Sequence, residues 1–188
     1  MYRKLSILRY FFVIVWLLFI VAVLYLHFFE ATFFEKLLSH ASQLSIYSGY
    51  ALFLLLGCLR GFTLIPATSL IVLGLLFFNP IPLFILTVIG IIVSSTSVYY
   101  FSELLHLDDF FEEKHRARIL KVKSVLQKNE LPIIIGWSAM PFLPTDLICY
   151  ICGTLHVNFA KFIFGVFIGE SVICYIYIFF GHYLLFYG

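Results

Sequence analysis

The chain has 188 residues, 63% of them hydrophobic and only 12% charged, with a formal net charge of +2. A soluble domain of this length cannot bury so much apolar side chain, so the composition excludes a water-soluble enzyme or binding module and gives a polytopic membrane protein. Cys58, Cys149, Cys152 and Cys174 all lie in apolar segments, which argues against a disulfide framework; no second Cys pair or nearby His completes a metal site around Cys149 and Cys152, and no cofactor is expected.

Arg3, Lys4 and Arg9 precede an uninterrupted apolar run from Tyr10 to Phe29. At about 1.5 Å per residue this run matches the roughly 30 Å of a hydrocarbon core, and the basic residues before it put the N-terminus in the cytoplasm. Without a small-residue cleavage site it reads as an anchor, not a signal peptide. Residues 30–48 alternate Glu35, Lys36, His40 and Gln43 with Phe33, Phe34, Leu37, Leu38 and Leu44, the pattern of a short helix that either lies amphipathically on the outer interface or is simply a solvated linker.

From Gly49 to Phe78 the sequence is apolar but interrupted by Arg60-Gly61 and Pro66, and its length suits a helix followed by a broken return. Asn79-Pro80-Ile81-Pro82 is a turn. Leu83 to Ser102 is a full span, with Gly90, Ser94, Ser95 and Ser97 giving a small-residue packing face. The segment Leu104–Glu130 is strongly polar and predicts a basic helix, either lying on the membrane surface or simply solvated.

Leu131 to Gly153 is apolar, yet Pro141 and Pro144 break it and Asp146 follows. Proline removes a backbone donor, so the carbonyls of Trp137 and Met140 are expected to lose their helical partners and to need a wet or protein-lined pocket. A carboxylate at mid-membrane costs about 2.5–3.5 kcal/mol on insertion scales, so Asp146 should face the same pocket. Asn158 is a helix N-cap candidate, and Phe159 to Leu185 is the last span, carrying Lys161 and Glu170.

The two broken stretches echo one another: Leu64-Ile65-Pro66-Ala67-Thr68-Ser69-Leu70 leading to Gly74, and Phe142-Leu143-Pro144-Thr145-Asp146-Leu147 leading to Gly153. Matching breaks in two halves point to a central site in a repeat-built transporter. The predicted fold is therefore all-α: three full transmembrane helices plus two Pro-broken re-entrant hairpins in pseudo-repeated halves. Residues 1–48 form the anchor and interfacial helix and 49–188 the main membrane domain. This topology keeps ten of the twelve Lys and Arg residues on the cytoplasmic side.

Arg60 with Leu64-Ile65-Pro66 and Gly74, the Pro141-x-x-Pro144-x-Asp146 run with Tyr150 and Gly153, and Phe159, Phe162, Gly169, Tyr175 and Gly181 together resemble the DedA superfamily with its VTT or SNARE-associated domain, and more closely its Tvp38-like branch. The resemblance implies re-entrant helices meeting at mid-membrane and movement of phospholipids or lipid-linked carriers between leaflets, linked to the proton gradient, in a bacterial plasma (inner) membrane. Where the family commonly has an arginine three residues before the first proline of the second block, this chain has Ser138. Where many members carry an acidic residue after the first re-entrant proline, it has Ala67, Thr68 and Ser69.

The substrate-binding residues expected on this basis are Arg60, Pro66, Thr68, Pro141, Pro144, Thr145 and Asp146. Asp146 and Glu170 are expected to respond to protons or cations. Structural roles compete at each place: Arg60 pairing with Asp146 or Glu170, Asp146 capping the half-helix after Pro144, and Glu170 pairing with Lys161. The expected partners are membrane lipids, with anionic headgroups and protons or cations at the site, and no nucleic acid. The competing function is a non-transporting scaffold for envelope homeostasis, docking lipid or protein through the basic helix Leu104–Glu130. No nucleophile–base or metal constellation is present in the sequence, so no enzyme activity is expected.

Overall fold

The computed structural model describes residues 31–63, 67–104, 129–141 and 143–187, together with Leu18, Val21, Ala22, Tyr25 and Leu126. Most of the Tyr10–Phe29 anchor, Pro66 and nearly all of the basic Leu104–Glu130 segment lie outside these residues. Every regular element among the described residues is helical: α1 (Ala31–Leu44), α2 (Ile46–Thr63), α3 (Ala67–Leu75), α4 (Pro80–Leu104), α5 (Glu130–Ser138), α6 (Thr145–Thr154), α7 (Phe159–Tyr175), a π-helical stretch (Ile176–Phe180) and α8 (Gly181–Tyr187). Among the described residues, three helical stretches are long and apolar enough to cross a membrane: Ile46–Thr63, Pro80–Glu103 and Phe159–Tyr187. The protein is an all-α integral membrane protein.

The last two of these are spans expected from the sequence; the first covers the stretch read as the opening arm of a re-entrant hairpin, and as one unbroken helix it is itself long enough to cross. Helix α2 starts three residues before Gly49 because the Ser45 hydroxyl accepts the Tyr47 N–H at 3.3 Å, satisfying a donor that the helix start would otherwise leave open. It also runs through Arg60-Gly61 without a break, so the interruption read from that dipeptide is absent. By contrast α3, α5 and α6 have nine, nine and ten residues. At about 1.5 Å per residue each covers roughly half a hydrocarbon core.

Contacts between helices fix their directions. A side chain at Gly74 of α3 would meet Phe53 of α2 and Leu83 of α4, so these three residues share one level. Further along, a Cβ on Gly90 would lie 3.2 Å from the Gly57 Cα, and Gly61 faces Ser94 and Val98. Helices α2 and α4 therefore run parallel, with α3 returning between them. The second half repeats the plan, with Gly165 of α7 against Leu131 and Ile134 of α5, and Gly169 against Ser138. Helices α4 and α7 run antiparallel: Tyr99 stacks near Phe159 and Phe162, and Phe84 near Tyr175 and Phe179. The two halves thus point in opposite directions, and their cores join through Phe53, Ile71, Leu83, Ile91, Val98, Phe162 and Val166, all almost fully buried.

The corner between α6 and α7 closes tightly. His156 adopts φ 52°, its N–H donates to the Gly153 carbonyl at 3.2 Å, and the Val157 N–H donates to the Cys152 carbonyl at 3.0 Å. This is the paired bond pattern of a Schellman C-cap. The Asn158 side chain then accepts the Lys161 N–H, the N-cap expected from the sequence. The Tyr99 hydroxyl pins the corner to α4 by donating to the Val157 carbonyl at 2.6 Å. Left-handed backbone strains a side chain with a Cβ, and the exposed His156–Glu103 contact at 3.3 Å offsets little of that strain. His156→Gly is expected to stabilise the fold by about 1 kcal/mol, read as a raised unfolding midpoint in detergent.

Candidate functional site

The site begins with a glycine. Gly61 has no side chain to hold α4 away, so its N–H donates to Ser94 Oγ at 3.0 Å; any Cβ there would stand 2.7 Å from Val98 Cγ2 and 3.2 Å from Asp146 Oδ1. The neighbouring Arg60 lies in the last turn of α2, and Asp146 in the first turn of α6. A cation at a helix C-terminus and a carboxylate at a helix N-terminus each oppose the local dipole charge, so both positions favour the charge they carry. The two side chains meet at 3.3 Å, Arg60 Nη1 donating to Asp146 Oδ2, with 3% and 1% of their surfaces exposed.

That single bond leaves much of both groups unspent. Among the described residues, Arg60 Nε, Arg60 Nη2, Asp146 Oδ1 and the hydroxyl of the buried Ser138 have no hydrogen-bond partner. Buried donors and acceptors left open cost about 1–3 kcal/mol each, more when charged, so four in one region are unusual. Glu170 of α7 joins the cluster from the other side, accepting bonds from the Thr145 hydroxyl and, at 3.7 Å, from Cys174 Sγ. The Tyr150 hydroxyl donates to the Gly61 carbonyl at 3.2 Å, and Cys149 Sγ donates to the Thr145 carbonyl. Five helices, α2 and α4 through α7, supply these polar groups.

Pattern comparison with known families matches the VTT domain over residues 65–183, more than half of the chain. The protein belongs to the VTT-domain family. This is the DedA/SNARE-associated domain expected from the sequence; the match is to the domain as a whole and does not single out the Tvp38-like branch. Comparison with curated proteins and with solved structures gave no match. Asp146 and Glu170 fall inside the matched stretch of the VTT domain and Arg60 just before it.

Of the residues expected at the site, Arg60, Thr145, Asp146 and Glu170 come together in the buried cluster. Pro141 and Pro144 are exposed, Thr68 is half-buried in α3, and Pro66 lies outside the described residues. Asp146 does not cap α6: that place is taken by Pro144, with no side-chain cap, and the carboxylate turns to Arg60 instead. Lys161 does not pair with Glu170 but with Glu130 at 2.8 Å, joining α5 to α7. The carbonyls of Trp137 and Met140 are not left open by the prolines. They accept tight-turn bonds from Met140 N–H at 3.1 Å and Leu143 N–H at 3.4 Å. What makes the region polar is its side chains.

Sequence reasoning missed Ser94, Tyr150 and Cys174 at the site, and gave Ser138 only as a place where an arginine is absent. The Tyr150–Gly61 contact joins residues eighty-nine positions apart, which no local pattern signals, whereas the Arg60–Asp146 pair is one of the two pairings weighed from the sequence. Removing one member of a buried ion pair typically costs about 3–5 kcal/mol, whereas replacing both by apolar groups of similar volume is often neutral. Arg60→Met alone should therefore lower stability by roughly that amount, and Arg60→Met with Asp146→Leu should recover most of it. Unfolding in mixed micelles for the four members of the cycle measures both.

Proposed function

We propose that the protein moves phospholipids or lipid-linked carriers between membrane leaflets, as a non-enzymatic transporter without a cofactor. In this reading α2–α3 and α5–α6 are re-entrant hairpins that enter from opposite faces and turn near mid-membrane. The observation that carries it is the buried Arg60–Asp146 pair beside Glu170; two donor nitrogens of its guanidinium have no partner among the described residues. A guanidinium with spare N–H groups in a low-dielectric setting is suited to bind a phosphate oxygen.

Charge counting supports coupling. One cation faces two carboxylates, so with all three ionised the cluster carries an excess negative charge that burial penalises. An incoming anionic headgroup adds to that excess and favours uptake of a proton or cation at Asp146 or Glu170. The pattern of broken helices in two inverted halves, with polar groups where they meet, is that of secondary transporters. The setting proposed is a bacterial inner membrane with the N-terminus in the cytoplasm, following the basic residues at the start of the chain.

The test is leaflet exchange of headgroup-labelled lipid by the purified protein in vesicles, with and without a proton gradient. The Arg60→Met, Asp146→Leu variant keeps its fold if the stability cycle behaves as expected, so its rate reports on function. Loss of a charge-assisted bond of about 1.5–3 kcal/mol predicts a rate at least tenfold lower, and Glu170→Gln should remove the dependence on the gradient. A double variant exchanging lipid at the wild-type rate would refute the proposal.

A further inference from the structure

A second recess lies far from the charged cluster. It has a volume of about 650 Å³ and is bounded by the start of α2, the α3–α4 turn and the C-terminal α8. Measured along α4, it sits beside Asn79 at the start of the helix, whereas Ser94 opposite Gly61 lies fifteen residues on, about 22 Å at 1.5 Å per residue. Its lining includes Tyr50, Phe78, Asn79, His182, Phe186 and Tyr187.

The chain builds this recess deliberately. The π-helical stretch Ile176–Phe180 interrupts the last span immediately before α8, a distortion that recurs at functional sites. It re-aims the following turns, and Gly181 lets them seat against α3, where a Cβ would stand 2.9 Å from Leu75 Cδ1. His182 lies 4.6 Å from the Phe186 ring and 6.3 Å from Tyr187 within α8, and Tyr50 and Phe78 pair at 4.9 Å; all five residues line the recess. Phe78 is buried, but Phe186 and Tyr187 remain 60% and 75% exposed.

Rings that only anchor a helix at the interface need no common cavity; these line one. Among the described residues no Asp, Glu, Lys or Arg lines it, and its polar side chains are those of Asn79, His182, Tyr50 and Tyr187. An anionic headgroup would enter without a cation to meet it. An ammonium, by contrast, is held by aromatic faces without any carboxylate, and amide and ring N–H groups can donate to phosphate. The apolar edge formed by Leu75 and Leu76 continues the cleft towards hydrocarbon and suits the start of an acyl chain.

We propose that this cleft binds the zwitterionic headgroup of a phosphocholine-type phospholipid, with the ammonium against the aromatic rings and the phosphate at Asn79 and His182. It is a site separate from the Arg60 cluster, and its occupancy does not depend on transport. The test is equilibrium binding of radiolabelled dihexanoylphosphatidylcholine to the full-length protein in amphipol. One saturable site is expected, with phosphatidylglycerol of the same chain length bound at least tenfold more weakly.

Tyr50→Ala and Phe186→Ala should each weaken binding by about threefold to tenfold, the range of one cation–π contact. Phe186→Tyr keeps a ring and should bind as wild type, which separates loss of the contact from loss of fold. The Arg60→Met, Asp146→Leu variant should also bind normally, so failure of the transport reading leaves this result untouched. The proposal is overturned if phosphatidylglycerol or a glycosyl lipid binds as well as the choline lipid. It is equally overturned if soluble glycerophosphocholine competes equally, or if removing the rings changes nothing.

Discussion

Arg60 and Asp146 sit at the ends of two helices that come from different halves of the chain, and the rest of the structure is arranged around keeping them together. Neither charge is tolerable in hydrocarbon alone, and each is compensated twice, by its partner and by the dipole of the helix that carries it. A contact of 3.3 Å does not survive a slip of one helical turn, about 5.4 Å, by either helix. The neighbouring contacts prevent that slip. Gly61 is locked to Ser94, Tyr150 to the Gly61 carbonyl, and Thr145 to Glu170, so α6 is held against α2 and α7 within a few residues of the ion pair.

The pair also explains why the first arm is a full helix. Arg60-Gly61 read by itself looks like an interruption in an apolar run. In the folded protein the arginine has a buried partner and the glycine gives α4 a place to rest, so both are compatible with an unbroken α2. A residue type that would break a span when isolated becomes an interior residue once another segment meets it. The partner lies eighty-six positions away, which is why this stretch alone could not reveal it.

Local chemistry was legible where it is decided locally. The prolines marked the breaks before α6, Asn158 capped α7 as expected, and the spans beginning at Pro80 and Phe159 followed from apolar length. Asp146 was singled out from the sequence and lies buried against Arg60, but the reason given for a polar pocket there fails in part. Prolines were expected to strand carbonyls that then demand a wet pocket, whereas short turn bonds satisfy the Trp137 and Met140 carbonyls within the break itself. The open polar atoms belong instead to Arg60, Asp146 and Ser138, and their convergence is a property of packing. The capping role for Asp146 and the Lys161–Glu170 pair failed for the same cause: both assumed the nearest partner in sequence, and tertiary contacts supplied better ones.

The inverted arrangement sets a limit on how the two halves can communicate. Helices α3, α5 and α6 are each about half as long as a bilayer core is thick, so none of them alone is long enough to cross it. Ser94, which marks the level of the charged cluster, stands fourteen residues after Pro80 and ten before Leu104, close to the middle of α4. The ion pair therefore takes one residue from each half at a level close to the middle of α4. Any rearrangement of one half against the other must either carry this contact along or exchange it for another partner of the same charges. Under the proposed function, an anionic headgroup at Arg60 and a proton at Asp146 are the two substitutions that would free the contact without leaving a buried charge unpaired.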